Sequence, residues 1–213
     1  MNIAKVFILF LLAIEGLSLY SCTEQESKNT PNQSKNSAFI NHDKKPVDST
    51  LKYERSYYSN GKLKYEEIYY DKRQEVYVKY YYSNGNLEKQ GLLKNEKKEG
   101  WWEAFSEDST KVYEGTFSNG LKSGYWKHYF NNGKIWKEGE YINDKVWGWW
   151  KEYDLEENIL WEGEMQGMKK EGYHKHYSHG IIESEGLYKN DRKWGTWKFY
   201  DTLGNIKSID NYE

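Results

Sequence analysis

One aromatic position returns along this chain about every 24 residues, and this recurrence constrains the fold more than any other feature. Its members are Tyr57, Tyr81, Phe105, Tyr129, Tyr153, Tyr177 and Tyr200. A fixed period of this length is typical of repeat proteins, in which each unit is a supersecondary element that contacts mainly its neighbours. We therefore expect function on an extended surface and not in a buried catalytic pocket.

Two further columns keep the same period. One is a glycine column made of Gly100, Gly124, Gly148, Gly172 and Gly195. The other lies two residues later and consists of Trp102, Trp126, Trp150 and Trp197, with His174 at the fourth position. We predict that residues 51–213 form a single repeat array, with atypical units at its two ends.

The composition favours β-strands and argues against a nucleic-acid partner. Aromatic residues make up 18% of the chain, and its two prolines, Pro31 and Pro46, both precede the array. Aromatic side chains are enriched in strands. The 31 basic and 33 acidic side chains are interspersed and give a formal net charge of −2. This pattern lacks the basic stripe that a phosphate backbone requires.

Each repeat contains two turn signals, which predict one β-hairpin per unit. The first is a pair such as Asn60-Gly61 or Asn84-Gly85, and Asn-Gly between β-forming residues is a hairpin signal. The second is an asparagine shortly before the glycine column, at Asn95, Asn119, Asn143 and Asn190. The predicted fold is all-β, an elongated antiparallel array of about six hairpins.

A two-residue turn at Glu96-Lys97 would set the register of the hairpins. In that register Gly91 faces Trp102, so an indole lies over a strand glycine, and Leu93 faces Gly100. The other face pairs opposite charges: Glu66 with Lys79, Glu114 with Lys127, Glu138 with Lys151, Glu162 with Lys175, and Glu185 with Lys198. The exception pairs Gln90 with Glu103. Strict alternation places the recurring tyrosine on this charged face, and a β-bulge before the Asn-Gly turn is one explanation.

The N-terminal segment has the pattern of an export signal. Lys5 is followed by an apolar run and then by the only cysteine, Cys22, so residues 1–22 resemble a lipoprotein signal whose cysteine is lipidated. Residues 23–50 are polar and lack apolar periodicity, which predicts a disordered tether. We expect a protein anchored by lipid at the cell envelope, at the outer membrane or cell surface, with no intramolecular disulfide.

The repeat unit, G-x-W-x-x-Y-x-x-N-G followed by E-G-x-Y and an asparagine turn, resembles the MORN-repeat variant family. The likeness is best at Gly124 to Tyr141 and Gly148 to Met165 and covers residues 52 to 204. It implies short hairpins stacked into an elongated antiparallel sheet, acting as a scaffold or membrane-associated interaction module and not as an enzyme. Some bacterial members of the family are described as antitoxin components of toxin–antitoxin modules.

An aromatic row on the charged face is the candidate partner-binding surface. Its members are Tyr77, Trp101, Tyr125, Trp149 and Tyr173. Such rings stack on sugars, cationic groups or peptide side chains. The alternative is that they pack against a curled sheet, because a single-layer sheet must partly bury both faces.

Catalytic and metal-binding patterns are weak in this sequence. His174, His176 and His179, with His128 two units earlier, are the candidate metal ligands. We expect no zinc there, because His174 occupies the packing column and no cysteine lies nearby. Nucleophile elbows, phosphate-binding loops and zinc-protease motifs are absent from the sequence, so we expect neither a catalytic residue nor a cofactor.

These features predict a non-enzymatic, membrane-tethered scaffold or binding module that holds a protein partner at the cell envelope. One alternative is the neutralising component of a toxin–antitoxin module. The other is a repeat protein that binds carbohydrate or cell wall.

Overall fold

The computed structural model describes residues 51–69 and 74–213, which form one open antiparallel sheet of 14 strands. These residues fall within a compact unit, Pro46–Glu213. The predicted signal with Cys22 and the predicted tether both lie outside the described residues. Within the described part of the chain, no helix has the length and apolar character needed to cross a membrane. The all-β prediction is confirmed.

The strand order in the sheet is the order along the chain, so every strand pairs with its sequence neighbours. The strands are β1 (Lys52–Tyr57), β2 (Leu63–Tyr69), β3 (Glu75–Tyr81), β4 (Leu87–Lys94), β5 (Lys97–Phe105), β6 (Lys111–Ser118), β7 (Leu121–Tyr129), β8 (Ile135–Ile142), β9 (Lys145–Tyr153), β10 (Ile159–Gln166), β11 (Lys169–Ser178), β12 (Ile181–Lys189), β13 (Arg192–Tyr200) and β14 (Ile206–Tyr212).

The Asn-Gly segments close hairpins, as predicted, through a turn followed by a left-handed glycine. The Gly61 amide donates to the Tyr58 carbonyl at 2.9 Å, and the Tyr58 amide donates to the Lys62 carbonyl at 2.8 Å. Gly61 has a φ of 80°, whereas Asn60 keeps a negative φ. This arrangement is a type I turn with a glycine bulge, not the type I′ turn that requires positive φ at both central residues.

The second turn lies one residue earlier than predicted. Its central residues are Asn95 and Glu96, with φ values of 49° and 64°, and Lys94 pairs with Lys97 across it. Both central residues of a type I′ turn need positive φ, which asparagine tolerates well. The placement at Glu96-Lys97 was therefore wrong by one residue.

A bulge in the following strand restores the predicted register farther from the turn. Leu92 pairs with Glu99 but Gly91 pairs with Trp102, so Gly100 and Trp101 are extra residues in β5. Gly100 has a φ of 65°, a conformation that side chains disfavour, and a Cβ there would meet nothing within 4 Å. The glycine column therefore serves the backbone.

The predicted contact between Leu93 and Gly100 is corrected by the same bulge. Leu93 pairs with Lys98, and Gly100 pairs with Phe117 of β6 instead. A large residue does face each of these glycines, but it comes from a different hairpin. The predicted pairing of Gly91 with Trp102 is confirmed, as are all the charged pairs and the pair Gln90–Glu103.

The core of the sheet is built on one side, which we call the tryptophan face, around Trp102, Trp126, Trp150, His174 and Trp197. Each of these rings is almost fully buried and covers a glycine of the preceding strand. A Cβ added at Gly115 would lie 2.3 Å from the Trp126 ring, so only glycine leaves room for the indole. Burying one such side chain contributes about 1.5–3 kcal/mol.

Aromatic rings and lysine stems close the spaces between the indoles. Phe117 lies edge-on to Trp126 with ring centroids 4.9 Å apart, and Tyr141 lies edge-on to Trp150 at 5.2 Å. The Lys122 ammonium lies 4.6 Å from the centre of the Trp126 ring, and burial lowers its pKa. This lysine belongs to a column that the sequence analysis missed: Lys98, Lys122, Lys170 and Lys193. The aliphatic parts of these lysine side chains shield the rings from water.

Candidate binding surface

The opposite side of the sheet, which we call the ladder face, carries the charged pairs. Its glutamates are held by tyrosines as well as by lysines. The Tyr153 hydroxyl donates to a Glu138 carboxylate oxygen at 2.7 Å, and the Tyr177 hydroxyl donates to Glu162 at 2.8 Å. The same contact joins Tyr129 to Glu114 and Tyr200 to Glu185. The recurring tyrosine therefore belongs on this face.

A β-bulge is present beside the recurring tyrosine, but it lies on the neighbouring strand. Tyr129 pairs with Ile135 while His128 pairs with Lys137, so Trp136 is the extra residue. This bulge follows the Asn-Gly turn, so the prediction that it precedes the turn was wrong in position. The tyrosine stays on the charged face because its hydroxyl has an acceptor there.

In the unit that has phenylalanine in the tyrosine column, the hydrogen bond between tyrosine and glutamate is replaced by other contacts. Phe105 has no hydroxyl to donate, and the residue at the glutamate position of its hairpin is Gln90. The lysine position holds Glu103, which accepts a hydrogen bond from Gln90 at 2.6 Å. Lys111 of β6 bridges Glu103 at 3.1 Å and Glu114 at 2.7 Å. Hydroxyl and carboxylate are therefore present together or absent together.

All five members of the predicted aromatic row lie on the ladder face. Trp101, Tyr125 and Trp149 are exposed, with 38%, 48% and 40% of their surface accessible, whereas Tyr77 and Tyr173 are partly buried. Burial, followed by the nearby Glu138 carboxylate, raises the pKa of Tyr125 to about 12. Burial and a hydrogen bond to Glu185 raise the pKa of Tyr173. The two tyrosines thus remain uncharged at neutral pH.

The structure adds exposed residues to this surface that sequence analysis missed. Trp147 is 41% exposed and pairs with Glu140, which pairs on its other side with Tyr125. Trp149 pairs with Glu164 of β10. Trp147 escaped notice because its position holds tryptophan again only at Trp194, while Glu99, Ser123 and Glu171 occupy it in other units.

The two carboxylates of this region differ from those of the ladder. Glu140 and Glu164 are exposed, and neither forms an ion pair or side-chain hydrogen bond with any residue in 51–69 or 74–213. By contrast, the Glu162 carboxylate accepts a hydrogen bond from the Tyr177 hydroxyl, and one of its oxygens lies 3.7 Å from the Lys151 ammonium. The surface therefore contains exposed indoles beside carboxylates that have no cationic partner.

The four candidate histidines do not come together in the described part of the sheet, and His128 lies on β7, two units from the other three. His174 and His176 are neighbours on the tryptophan face with ring centroids 6.2 Å apart, whereas His179 is in the turn before β12. The Trp150 ring nitrogen donates to the Glu140 carbonyl at 3.1 Å, and His174 makes the equivalent contact, with its Nε2 2.7 Å from the Glu164 carbonyl. Within residues 51–69 and 74–213, no group of three or more histidine, cysteine or acidic side chains is placed to hold a metal ion.

The fold and this surface define a β-hairpin repeat protein with one packed aromatic face and one exposed face of aromatic and charged residues. A family model described as MORN repeat variant matches residues 53–72, 74–95, 122–143 and 195–213. Four segments of the repeat array therefore match this family, as the sequence resemblance predicted. Each matched segment contains one hairpin closed by a turn that ends in glycine. No curated protein matches the chain.

Proposed function

We propose that this protein is a non-enzymatic binding or scaffold module that holds a protein partner on its ladder face. The observation that carries the proposal is the difference between the two faces. The rings of the tryptophan face are buried in the core. On the ladder face, by contrast, four aromatic side chains are exposed beside charged residues: Trp101, Tyr125, Trp147 and Trp149. Exposed aromatic rings surrounded by polar groups are typical of protein-interaction sites.

The test is to replace Trp101 and Trp149 by alanine in the full chain. We expect loss of partner capture, with the circular dichroism spectrum and unfolding midpoint close to those of the unchanged protein. A variant that unfolds would show that these rings belong to the core. A folded variant that still captures the same partner would show that the ladder face is not the binding surface.

We further propose that the module is tethered to a membrane of the cell envelope through Cys22. The support is the sequence, in which an apolar run leads to the only cysteine and a polar stretch separates it from the repeats. The test is metabolic labelling with a fatty acid, comparing the precursor with Cys22→Ala. Label and membrane retention that depend on Cys22 would support the anchor, and an unlabelled protein in the soluble fraction would refute it.

Carbohydrate or cell-wall binding is a second candidate, favoured by the regular spacing of exposed rings. Tyr125 on β7 and Trp149 on β9 are two strands apart, about 10 Å for adjacent strands 4.8 Å apart. Planar rings at regular intervals also suit sugars. Co-sedimentation with purified peptidoglycan separates the candidates, because a protein-binding module would remain in the supernatant.

Neutralisation of a toxin would be a special form of protein binding on this face. Co-expression with a neighbouring toxin gene would test it, since the Trp101 and Trp149 substitutions should then abolish protection.

A further inference from the structure

The centre of the ladder face contains a patch in which exposed rings and carboxylates alternate from strand to strand. We call Tyr125, Glu140, Trp147, Trp149 and Glu164 the acidic aromatic patch. Tyr125 pairs with Glu140, Glu140 pairs with Trp147, and Glu164 pairs with Trp149. Each carboxylate therefore lies directly beside at least one indole.

The two carboxylates of the patch lie outside the paired charges of the ladder. Neither makes an ion pair or side-chain hydrogen bond within residues 51–69 or 74–213, and other units have Leu92, Thr116 or Leu187 at the same position. The adjacent ladder row is locally neutral, because a lysine faces a glutamate across each pair. Glu140 and Glu164 therefore add negative charge that the lysines of this row do not balance.

The aromatic rings of the patch attract the same kind of ligand as its carboxylates. The face of an indole or phenol ring is electron-rich and binds ammonium and guanidinium groups, especially where water is partly excluded. Trp149 is also oriented by its ring nitrogen, which lies 3.4 Å from a Glu162 oxygen. Rings and carboxylates together are complementary to a cation.

We propose that the acidic aromatic patch binds a basic polypeptide segment of the partner protein, an inference that rests on the proposed protein-binding function. Lysine or arginine heads lie against the rings of Tyr125, Trp147 and Trp149 and pair with Glu140 and Glu164.

The spacing of the two carboxylates selects a conformation for this segment. Glu140 lies on β8 and Glu164 on β10, so they are separated by two inter-strand steps, about 9.6 Å. A polyproline II segment repeats its orientation every three residues and rises about 9.3 Å over that distance. A basic residue at every third position therefore reaches both carboxylates from one side of the segment.

The experiment measures fluorescence anisotropy of labelled synthetic peptides with the full chain. One peptide carries lysine at every third position between proline and serine residues, a second has the same composition with its lysines in one block, and a third has glutamate for lysine. We expect the first peptide to bind most tightly and the acidic peptide not to bind. Equal binding of the two lysine peptides, or no binding of either, would overturn the proposal.

Matched variants distinguish binding by the acidic aromatic patch from attraction by the net charge of the protein. Glu140→Gln with Glu164→Gln should weaken binding of the first peptide about tenfold, because both carboxylates that pair with its lysines lose their charge. Glu107→Gln with Glu156→Gln removes the same charge from exposed turns and should leave binding unchanged. Equal weakening in both double variants would show attraction by net charge alone and overturn the proposal.

Partner capture distinguishes this inference from the proposed function. If Trp101→Ala with Trp149→Ala abolishes capture but Glu140→Gln with Glu164→Gln does not, the ladder face binds protein without a basic segment and the inference fails alone. If the tryptophan variant also captures normally, both fail. Peptidoglycan binding or self-association that depends on Trp147 and Trp149 would likewise replace the proposed occupant.

Discussion

At the scale of single residues, the two sets of glycines in each repeat have different physical reasons. Gly115 and its equivalents lie under an indole, where any side chain would collide with the ring. Gly100 and its equivalents have positive φ and open space around them. Sequence reasoning explained the first set correctly. It explained the second by side-chain packing, because a positive φ leaves no mark on the sequence beyond the glycine itself.

Replacing Gly115 by alanine should destabilise the protein by about 1–3 kcal/mol, because the new methyl group forces the Trp126 ring away from the strand. Urea unfolding, monitored by circular dichroism, measures the change. Thr116→Ala is the matched control, since it alters the next residue on the opposite face and should have a smaller effect. Equal stability of the two variants would contradict the close seating of the indole.

Acid should weaken the packed face through its histidines. Burial, followed by nearby lysines, lowers the pKa of both His128 and His176 to about 4, below the ordinary value near 6.5. The folded state therefore favours the uncharged form of each histidine. The contribution of each histidine to the free energy of unfolding is complete above about pH 6.5 and is lost as the pH falls toward 4.

The urea midpoint should accordingly fall between pH 6.5 and pH 4, and less so when His128 and His176 are replaced by phenylalanine. Phenylalanine keeps a flat ring but cannot take up a proton. An unchanged pH dependence in that double variant would assign the acid sensitivity to other groups.

At the scale of the hairpin, the contact between the recurring tyrosine and the ladder glutamate joins the two strands of a unit. Tyr153→Phe should cost about 0.5–1.5 kcal/mol, the usual net value of a hydrogen bond. Combined with Glu138→Gln, the loss should be smaller than the sum of the two single losses, because Phe105 and Gln90 already occur together in this chain. A double-mutant cycle from urea unfolding measures this coupling, and strict additivity would argue against a direct contact.

Much of the hairpin could be predicted from sequence, and the limits are local. The period, the two turns and the pairing of Gly91 with Trp102 follow from columns that repeat. The turn at Asn95-Glu96 was predicted one residue too late. The error was hidden because the two-residue bulge at Gly100 restores the predicted pairing of Gly91 with Trp102 beyond it. The candidate surface was predicted only in part. Trp147 recurs only as Trp194 and so forms no continuous column, and its exposure depends on the register on both sides of β9.

At the scale of the whole array, the two outermost described strands carry charges where other units have packing residues. Glu54 of β1 occupies the position of Trp102, and Asp210 of β14 occupies the position of Gly91. If β14 of one molecule paired with β1 of another in the repeat register, these two carboxylates would face each other. Like charges directly opposite destabilise a strand pair, so the ends oppose head-to-tail growth.

Replacing Asp210 by glycine and Glu54 by tryptophan restores the repeat pattern at both ends. We expect this double variant to associate with rising concentration, as measured by sedimentation velocity, while Asp210→Asn alone associates less. A double variant that stays monomeric at high concentration would show that the end charges are not what prevents growth.

The order of the strands has a further consequence for the way in which this protein reaches its native state. Because each described strand pairs with its predecessor and its successor, contacts between strands join residues within about one repeat of each other. Sheet proteins usually fold slowly, since their strands must close long loops, and folding rate rises as contacts become more local. Folding of such a chain can start at any hairpin and spread to its neighbours, and a partly synthesised chain already contains both strands of each hairpin that it has completed.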